Sequence, residues 1–268
     1  MPTLHLILLA LIQGVTEFLP ISSSGHLILL PQLTGAEDQG LLLDIAVHVG
    51  TLGAVILYFR DDALRAFRGL FELAGGQVAT ANGHLALLLL ISTVPVVLAG
   101  LALYAAGLAD ALRSMEVIGW TMLLFGLLLW WADREGAETR QADGWLLRHA
   151  LIMGLWQVLA LIPGTSRSGI TITGARFLGY ERHGAARLAM LMSIPTIGAS
   201  GLLATLDLIR NPVPGAWGEV LLAVALAFLS ALAALALMMR FLARVSFTPY
   251  VIYRCLLGLV LLGLVYLG

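Results

Sequence analysis

The sequence predicts an all-α integral membrane protein with about six transmembrane helices and two re-entrant, broken helices. Hydrophobic residues make up 60% and charged residues only 12% of the 268 residues, and the mean hydropathy of +0.95 leaves too little polar surface for a soluble domain. Six apolar stretches could each cross a hydrocarbon core of about 30 Å. Two further apolar segments are interrupted near the middle by a proline followed by polar residues.

The six long stretches are expected to span the membrane, although the first is marginal in length. They cover approximately residues 42–59, 84–107, 115–132, 185–208, 218–242 and 249–267. The broken segments, residues 4–33 and 149–179, have halves too short to span, so both are expected to be re-entrant. Exposed backbone at that depth is tolerated only where protein or water covers it, so the two breaks should line an internal cavity.

The two broken segments match each other in order along the chain. The matched pairs are Pro20 and Pro163, Gly25 and Gly169, Gly35 and Gly179, Glu37 and Glu181, and Gly53 and Gly198, at offsets of 143 to 145 residues. A near-constant offset between copies that enter from opposite faces is typical of an inverted-topology repeat. We therefore interpret residues 1–268 as one membrane domain, with repeat 1 at about 1–107 and repeat 2 at about 149–242.

The basic residues predict the orientation in the membrane. All 15 are arginine and the formal net charge is −1, so no basic stripe indicates a nucleic-acid partner. Alternating spans place on one side Arg60, Arg65, Arg68, Arg134, Arg140, Arg148, Arg176, Arg182, Arg187, Arg240, Arg244 and Arg254. Only Arg113 and Arg210 fall opposite. The positive-inside rule makes the arginine-rich side cytoplasmic, so the first broken hairpin should open outward and the second inward.

Each break carries a cluster of hydroxyl side chains where a helix would restart. The clusters are Ser22, Ser23 and Ser24 in the first break and Thr165, Ser166 and Ser168 in the second. At least one hydroxyl in each should cap the following helix. Two helix N-termini near the bilayer midplane concentrate backbone donors and positive dipole ends, which predicts an anion site, with phosphate as the natural candidate.

Charged side chains accompany these clusters. Arg167 offers a planar fork of donors suited to phosphate oxygens. Gln13 and Glu17 are four residues apart and share a helix face directed at the first break. The carboxylate could bind a divalent cation or accept a proton, or it could simply form a structural ion pair with Arg167.

A serine and histidine arrangement follows in the first break. His26 is four residues from Ser22 and three from Ser23, so one hydroxyl could lie within reach of the imidazole as a nucleophile and base pair. The other histidines lack such neighbours, and we interpret them as structural or interfacial. They are His5, His48, His84, His149 and His183.

At these residues the sequence resembles the undecaprenyl-pyrophosphate phosphatase family of the BacA type. The segment Gln13-Gly-Val-Thr-Glu17-Phe-Leu-Pro-Ile-Ser-Ser-Ser-Gly-His26 resembles the first motif of that family. The segment Pro163-Gly-Thr-Ser-Arg-Ser-Gly-Ile-Thr171 resembles the second. The resemblance implies hydrolysis of undecaprenyl pyrophosphate to undecaprenyl phosphate and inorganic phosphate at the outer face of the bacterial cytoplasmic membrane. It also implies a role in cell-wall lipid recycling and bacitracin resistance.

The resemblance assigns roles by position. It implies that Glu17, Ser23, His26 and Arg167 are catalytic. It implies substrate-binding roles for Gln13, Ser22, Ser24, Thr165, Ser166, Ser168 and Thr171. It also implies a divalent cation, Mg²⁺ or Ca²⁺, for which Glu17 and Gln13 are the candidate ligands. The first acidic position of the family motif is glutamine here, which removes one charge from a cation site.

Several alternatives stay open at this stage. The nucleophile is Ser23 activated by His26, His26 itself, or water activated by Glu17 and His26. A polyprenyl-phosphate transporter or flippase would use the same inverted-repeat architecture. An intramembrane serine protease would explain the serine and histidine pair, but it has no need of a buried arginine beside a carboxylate. The expected partners are a polyprenyl pyrophosphate lipid and the membrane, with a homodimer as one candidate assembly.

Overall fold

The structure, a computed structural model, describes residues 3–34, 40–108, 112–210 and 217–267, and the chain is all-α throughout these ranges. The α-helices are α1 (Thr3–Phe18), α2 (Ser23–Thr34), α3 (Gly40–Tyr58), α4 (Arg60–Ala74), α5 (Ala81–Ala105), α6 (Met115–Glu135), α7 (Leu147–Val158), α8 (Arg167–Phe177), α9 (Arg182–Arg210), α10 (Trp217–Leu242) and α11 (Thr248–Leu267). The all-α prediction is confirmed.

Six of these helices, α3, α5, α6, α9, α10 and α11, are long and apolar enough to cross a membrane. Their ends lie within three residues of the predicted spans. Hydropathy locates them well because each carries about 20 predominantly apolar residues, the length that a bilayer core requires. The chain is therefore a multi-pass membrane protein, as predicted.

The two broken segments form separate helices on either side of a short break. The first consists of α1 and α2, and the second consists of α7, a 3-10 turn at Leu159–Leu161 and α8. Helix breaks therefore occur where the sequence predicts them. Re-entrance, the inverted orientation of the two copies and the repeat boundaries stay predictions. The matches at Gly35 and Glu37 lie outside the described residues.

The two halves of the chain interlock. Helix α10 follows the second broken segment yet packs along α1 and α3, whereas α5 follows the first broken segment yet packs along α7. Small residues allow these close approaches. A Cβ added at Gly14 would lie 1.9 Å from Ser230 Oγ, and one at Gly154 would lie 2.5 Å from the Ser92 carbonyl oxygen. This exchange of covering helices places both breaks in the interior.

Helix α8 lies in the protein interior, with every residue from 168 to 176 buried. Ion pairs anchor its far end. Arg176 Nε lies 3.2 Å from Asp133 Oδ1, and Arg176 Nη2 lies 3.1 Å from Glu138 Oε1. Arg182, at the start of α9, also contacts Asp133 at 2.7 Å. These pairs tie α6, α8 and α9 together and so fix the direction in which the N-terminus of α8 points.

Helix α4 was not predicted, since residues 60–83 were expected to form the connection between two spans. Its apolar side chains Leu64, Phe67 and Phe71 are exposed, while Asp62 on another face is buried. Exposed aromatic and aliphatic side chains on a short amphipathic helix beside transmembrane helices are typical of a segment that lies in the membrane interface.

Candidate active site

The two breaks share one backbone construction. Ser22 and Ser166 precede α2 and α8 with φ angles of +75° and +71°, a region that non-glycine residues rarely adopt. Each serine hydroxyl accepts a hydrogen bond from a backbone N–H three residues later, Gly25 N at 3.3 Å and Gly169 N at 3.1 Å. Both serines are thus helix N-caps, as predicted. Gly25 and Gly169, which match in sequence, therefore also make the same hydrogen bond, and donor and acceptor are both offset by 144 residues between the two breaks.

Glu17 is the point where the two broken segments meet. Arg167 Nη2 donates to Glu17 Oε1 at 2.7 Å, across 150 positions of sequence. On the other carboxylate oxygen, Ser23 Oγ donates at 2.6 Å and Gln13 Nε2 at 2.9 Å. The carboxylate is only 7% exposed. Four of the residues singled out from sequence therefore form one hydrogen-bonded cluster.

The ion pair with Glu17 does not use all of Arg167. Its second terminal nitrogen, Nη1, is shielded from solvent and has no hydrogen-bond partner among the described residues. The hydroxyl of Thr165, two positions earlier, is likewise buried and unpartnered within that part of the chain. An unsatisfied buried donor is costly, so the free Arg167 Nη1 beside the Glu17 carboxylate indicates that a ligand oxygen completes the site.

His26 is held away from the serine hydroxyls. Its Nδ1 lies 2.6 Å from the Ser22 carbonyl oxygen and its Nε2 lies 2.6 Å from the Tyr253 hydroxyl, with the two rings stacked at 5.7 Å. A carbonyl can only accept, so in the neutral imidazole Nδ1 carries the proton and Nε2 accepts from Tyr253. The predicted serine and histidine hydrogen bond is not formed, because Ser23 donates instead to the charged Glu17, a stronger acceptor. This arrangement gives no support to the serine protease alternative.

The remaining predicted residues occupy supporting positions. Ser168 Oγ donates to the Leu19 carbonyl oxygen at 2.9 Å and so links the second break to the first. Thr171 Oγ1 donates to carbonyl oxygens of its own helix, at residues 167 and 168. Ser24 is exposed, and its hydroxyl lies 3.3 Å from the Ser22 hydroxyl. Thr171 therefore stabilises α8 in this structure, whereas Ser24 is accessible.

His48, which we interpreted as structural or interfacial, lies at the site. Its Nε2 is 4.0 Å from Glu17 Oε2, and its Nδ1 is 2.6 Å from the Asp44 carbonyl oxygen. The carbonyl fixes the proton on Nδ1 of the neutral ring, which leaves Nε2 facing the carboxylate. No local sequence pattern predicts the position of His48 beside Glu17, because His48 stands alone in an apolar span and reaches Glu17 only through the packing of α3.

Arg254 is a second residue that sequence reasoning missed. We expected Arg254 on the cytoplasmic side with the loop arginines. The structure places it inside α11, where it is fully buried. Its guanidinium donates hydrogen bonds to backbone carbonyl oxygens of both breaks. Arg254 is therefore not a loop arginine and gives no evidence on orientation, because a linear span pattern cannot distinguish a residue near a helix end from one that turns into the protein interior.

The residues fit a divalent cation only if the substrate contributes ligands. Among the described residues no group of three His, Cys, Asp or Glu side chains could hold a metal ion. Gln13 Nε2 donates to Glu17 Oε2, however, and Gln13 Oε1 is a buried amide oxygen without a hydrogen-bond partner in the described ranges. One carboxylate and one amide oxygen match the way Mg²⁺ is held by few protein ligands together with substrate phosphates.

An apolar cavity of about 600 Å³ lies between α3, α4, α5 and α9. Its walls include Gly53 and Ile56 of α3, Phe67 of α4, and Pro195 of α9. Gly53 is five residues along the same helix from His48, so the cavity begins little more than one helical turn from the polar cluster. A cavity with such apolar walls suits the hydrocarbon part of a ligand whose anionic end lies at Glu17.

Comparisons with known proteins identify the family of the chain. The family model described as bacitracin resistance protein BacA matches residues 6–260. A protein of Ruegeria pomeroyi named undecaprenyl-diphosphatase is 63% identical over 266 residues, covering 99% of this chain and 100% of the relative. Proteins with the same name from Roseobacter denitrificans and Jannaschia sp. are 62% and 60% identical over 99% and 97% of this chain, covering 100% and 98% of those relatives. The chain therefore belongs to the BacA family.

Proposed function

We propose that this protein hydrolyses undecaprenyl pyrophosphate to undecaprenyl phosphate and inorganic phosphate, and so recycles the lipid carrier of cell-wall synthesis. The observation that carries the proposal is the Glu17–Arg167 pair across the two breaks, with an unpartnered arginine nitrogen beside it. The name shared by relatives 60–63% identical over nearly the whole chain supports the same activity.

The helix termini provide the binding environment for the pyrophosphate. Ser23 is the first residue of α2 and Arg167 is the first residue of α8, and both hydrogen-bond Glu17. The N-termini of both helices therefore converge on one carboxylate. Their free N–H groups and positive dipole ends, together with Arg167 Nη1, stabilise negative charge on the phosphate oxygens as it builds up in the transition state.

Ser23 is the nucleophile that the geometry favours. Its Oγ would bond to the terminal phosphorus as the bond between that phosphorus and the bridging oxygen breaks, and its proton would pass to Glu17 Oε2, 2.6 Å away. Undecaprenyl phosphate would leave with the bridging oxygen. Water would then attack the phosphoserine, releasing phosphate while Ser23 regains the proton from Glu17. Direct attack by water, or by His26, are the alternatives that the tests below separate.

A divalent cation belongs to the proposal as a substrate-linked ion. Glu17 and the free amide oxygen of Gln13 would hold it, and when bound it would neutralise charge on the pyrophosphate. The protein's own part is to orient these two oxygens: the Gln13 amide group is already fixed by its hydrogen bond to Glu17 at 2.9 Å.

The apolar cavity between α3, α4, α5 and α9 is the proposed site for part of the polyprenyl tail. Its walls are almost wholly hydrocarbon, with Arg60 as the charged exception. Such a cavity would bind the tail by burying apolar surface, while the headgroup remains at Glu17.

We place the protein in the bacterial cytoplasmic membrane, with the site open to the outer face. The arginine asymmetry supports this orientation, and it persists without Arg254. Arg60, Arg65 and Arg68 lie on α4, on the arginine-rich side of the membrane. Arg210 ends α9, a span that begins on the arginine-rich side, so Arg210 lies on the other side. Single-cysteine labelling at Arg68 and at Arg210 with an impermeant reagent, in Cys255→Ala protein in intact cells, tests it. Labelling at position 68 and protection at position 210 would refute the orientation.

Phosphate release from undecaprenyl pyrophosphate by purified protein in detergent tests the activity. We expect wild type to release phosphate and Glu17→Ala and Arg167→Ala to lose at least about 100-fold in kcat/KM, since each removes half of a charged hub. Glu219→Ala and Arg210→Ala, at exposed positions, are matched controls expected to retain activity. Wild-type turnover by both site variants would disprove the assignment. A transporter would show no hydrolysis in detergent, where only one compartment exists.

A further inference from the structure

Arg254 joins the two breaks from a third helix. Its guanidinium donates to the carbonyl oxygen of Pro20 in the first break at 3.4 Å, and to those of Gly164 and Thr165 in the second at 3.1 and 2.8 Å. It also reaches the Thr121 carbonyl oxygen of α6 at 3.4 Å. One side chain thus contacts the backbone of both segments that carry the proposed site, within two residues before each helix cap.

The charge of Arg254 is not neutralised by an acid. No carboxylate lies within 4.0 Å of its nitrogens among the described residues, although it is fully buried. The other arginines near the breaks and α8 differ: the partly buried Arg167 pairs with Glu17, and the buried Arg176 pairs with Asp133. Carbonyl dipoles compensate a buried cation only in part, so an unpaired arginine inside a membrane protein marks a functional site.

The charge balance of the site follows from these pairings. Before substrate and its cation bind, Glu17 and Arg167 cancel each other, so Arg254 leaves the side chains at the breaks with one excess positive charge. A dianionic or trianionic headgroup would then find a net positive site rather than a neutral one. In a low-dielectric interior one such charge has a large effect on anion affinity.

The sequence leaves room for this arrangement at Gly169. A Cβ added there would lie 2.9 Å from Arg254 Nη1, closer than side-chain carbons approach, and 3.2 Å from the Ser166 cap. Gly169 therefore allows the guanidinium to approach the first turn of α8. The same residue donates the hydrogen bond to the Ser166 hydroxyl, so arginine and cap are built around one position.

We propose that Arg254 is a positioning residue that holds the two helix N-termini at a fixed separation and supplies the net positive charge that binds the pyrophosphate headgroup. The proposal rests on the proposed function for the identity of the substrate. It makes two separable claims, because lysine retains the charge of arginine but has no planar fork with which to bridge carbonyl groups of both breaks.

The test compares wild type with Arg254→Lys and Arg254→Met in detergent. Two quantities are measured: kcat on undecaprenyl pyrophosphate, and the dissociation constant of inorganic pyrophosphate by calorimetry. For Arg254→Lys we expect kcat to fall about 10- to 100-fold through misplacement of the breaks, while pyrophosphate affinity stays within about threefold of wild type. For Arg254→Met we expect affinity to fall at least about tenfold as well, because the charge is gone.

Controls separate these effects from misfolding and from a wrong substrate. Arg244→Lys and Arg244→Met, in the exposed turn before α11, should leave both quantities unchanged. The thermal midpoint of each variant identifies unfolded protein, and Arg254→Lys decides the positioning claim if Arg254→Met does not fold. A folded Arg254→Lys protein with wild-type kcat overturns that claim, and equal pyrophosphate affinity in the lysine and methionine variants overturns the charge claim. If wild type hydrolyses nothing, the proposed function fails, but the affinity comparison still tests the charge.

Discussion

Ser23 and Arg167 stand 144 positions apart, each as the first residue of a helix after a break, and both hydrogen-bond the same carboxylate, Glu17. The two breaks are therefore alike in backbone but different in side chain. One copy presents a hydroxyl to Glu17 Oε2 at 2.6 Å and the other presents a cation to Oε1 at 2.7 Å. One break thus carries a group suited to bond formation and the other carries a group suited to charge stabilisation.

Replacing Ser23 by alanine tests which group attacks phosphorus. We expect Ser23→Ala to lose at least about 100-fold in kcat, because the hydroxyl that would form the bond is gone while Glu17 and Arg167 remain. Steady-state phosphate release in detergent measures the effect. Ser200→Ala is the control, since its hydroxyl is exposed and donates only to carbonyl oxygens of its own helix, α9, and it should stay within about threefold of wild type.

Intermediate trapping completes that test. Acid quenching of wild type during turnover, followed by peptide mapping, should place the phosphoryl group on Ser23. Phosphate found on His26 instead would favour the imidazole as nucleophile. Unimpaired turnover by Ser23→Ala would exclude the serine route and leave attack by water.

Tyr253 controls the orientation of His26. We expect Tyr253→Phe to lower kcat about three- to tenfold, because it removes the hydrogen bond to Nε2 while keeping a ring for stacking, and a typical hydrogen bond contributes about 0.5–1.5 kcal/mol. Tyr250→Phe, about one turn away on α11, is the control and should leave kcat unchanged. Turnover equal to wild type in Tyr253→Phe would mean that the orientation of His26 is irrelevant to the reaction.

The sequence predicted the spans and the pairing of the breaks because both depend on local signals. Hydropathy locates a transmembrane helix, and the motifs around Glu17 and Arg167 identify segments that must meet. The contacts of His48, Tyr253 and Arg254 could not be predicted in this way. Lipid and protein interior are both apolar, so periodicity does not show which face of a span turns inward.

Two other differences have local causes that a closer reading of the pattern could have found. Helix α4 carries Leu64, Phe67 and Phe71 at helical spacing with charged residues between them, so it is more amphipathic than the neighbouring spans but much less apolar overall. The serine and histidine pair was expected from spacing alone. Spacing gives reach but not preference, and the charged Glu17 competes successfully for the Ser23 hydroxyl.

The carboxyl group of Glu72, near the end of α4, accepts hydrogen bonds from residues at the start of α5 and so makes the stability of the folded protein depend on pH. Hydrogen bonds from Asn82 and Thr80, and one from the Gly83 N–H, hold the pKa of this carboxyl below its ordinary value. A carboxyl with a depressed pKa in the folded state adds stability above its unfolded pKa, and that stability is lost as the pH falls through the folded pKa. Glu72→Gln should therefore lower the thermal midpoint at pH 7.

The pH dependence of that effect is the decisive measurement. The difference in thermal midpoint between wild type and Glu72→Gln should stay constant from pH 7 until the pH approaches the ordinary carboxyl pKa of about 4.5, and it should shrink as the pH falls below that value. Glu135→Gln, at the exposed C-terminal end of α6, is the comparison and should show a smaller difference at pH 7. A difference for Glu72→Gln that is constant with pH would mean that charge on this carboxyl does not contribute.

The positive φ angle of Ser166 allows the stabilising effect of its cap hydrogen bond to be measured separately from the destabilising effect of backbone strain. Alanine at this position loses the hydrogen bond to Gly169 N and keeps the unfavourable φ of +71°, whereas glycine loses the same bond but adopts that φ without strain. We expect Ser166→Ala to destabilise the protein by about 1–2 kcal/mol and Ser166→Gly by clearly less. Denaturation midpoints in detergent, compared with Ser200→Ala and Ser200→Gly in the exposed part of α9, provide the measurement.

Glycine should destabilise more than alanine at Ser200, inside a helix, and the opposite order at Ser166 is the specific signature of a strained cap. The same order at both positions would show that the backbone at the break relaxes, and that Ser166 acts through its hydroxyl alone.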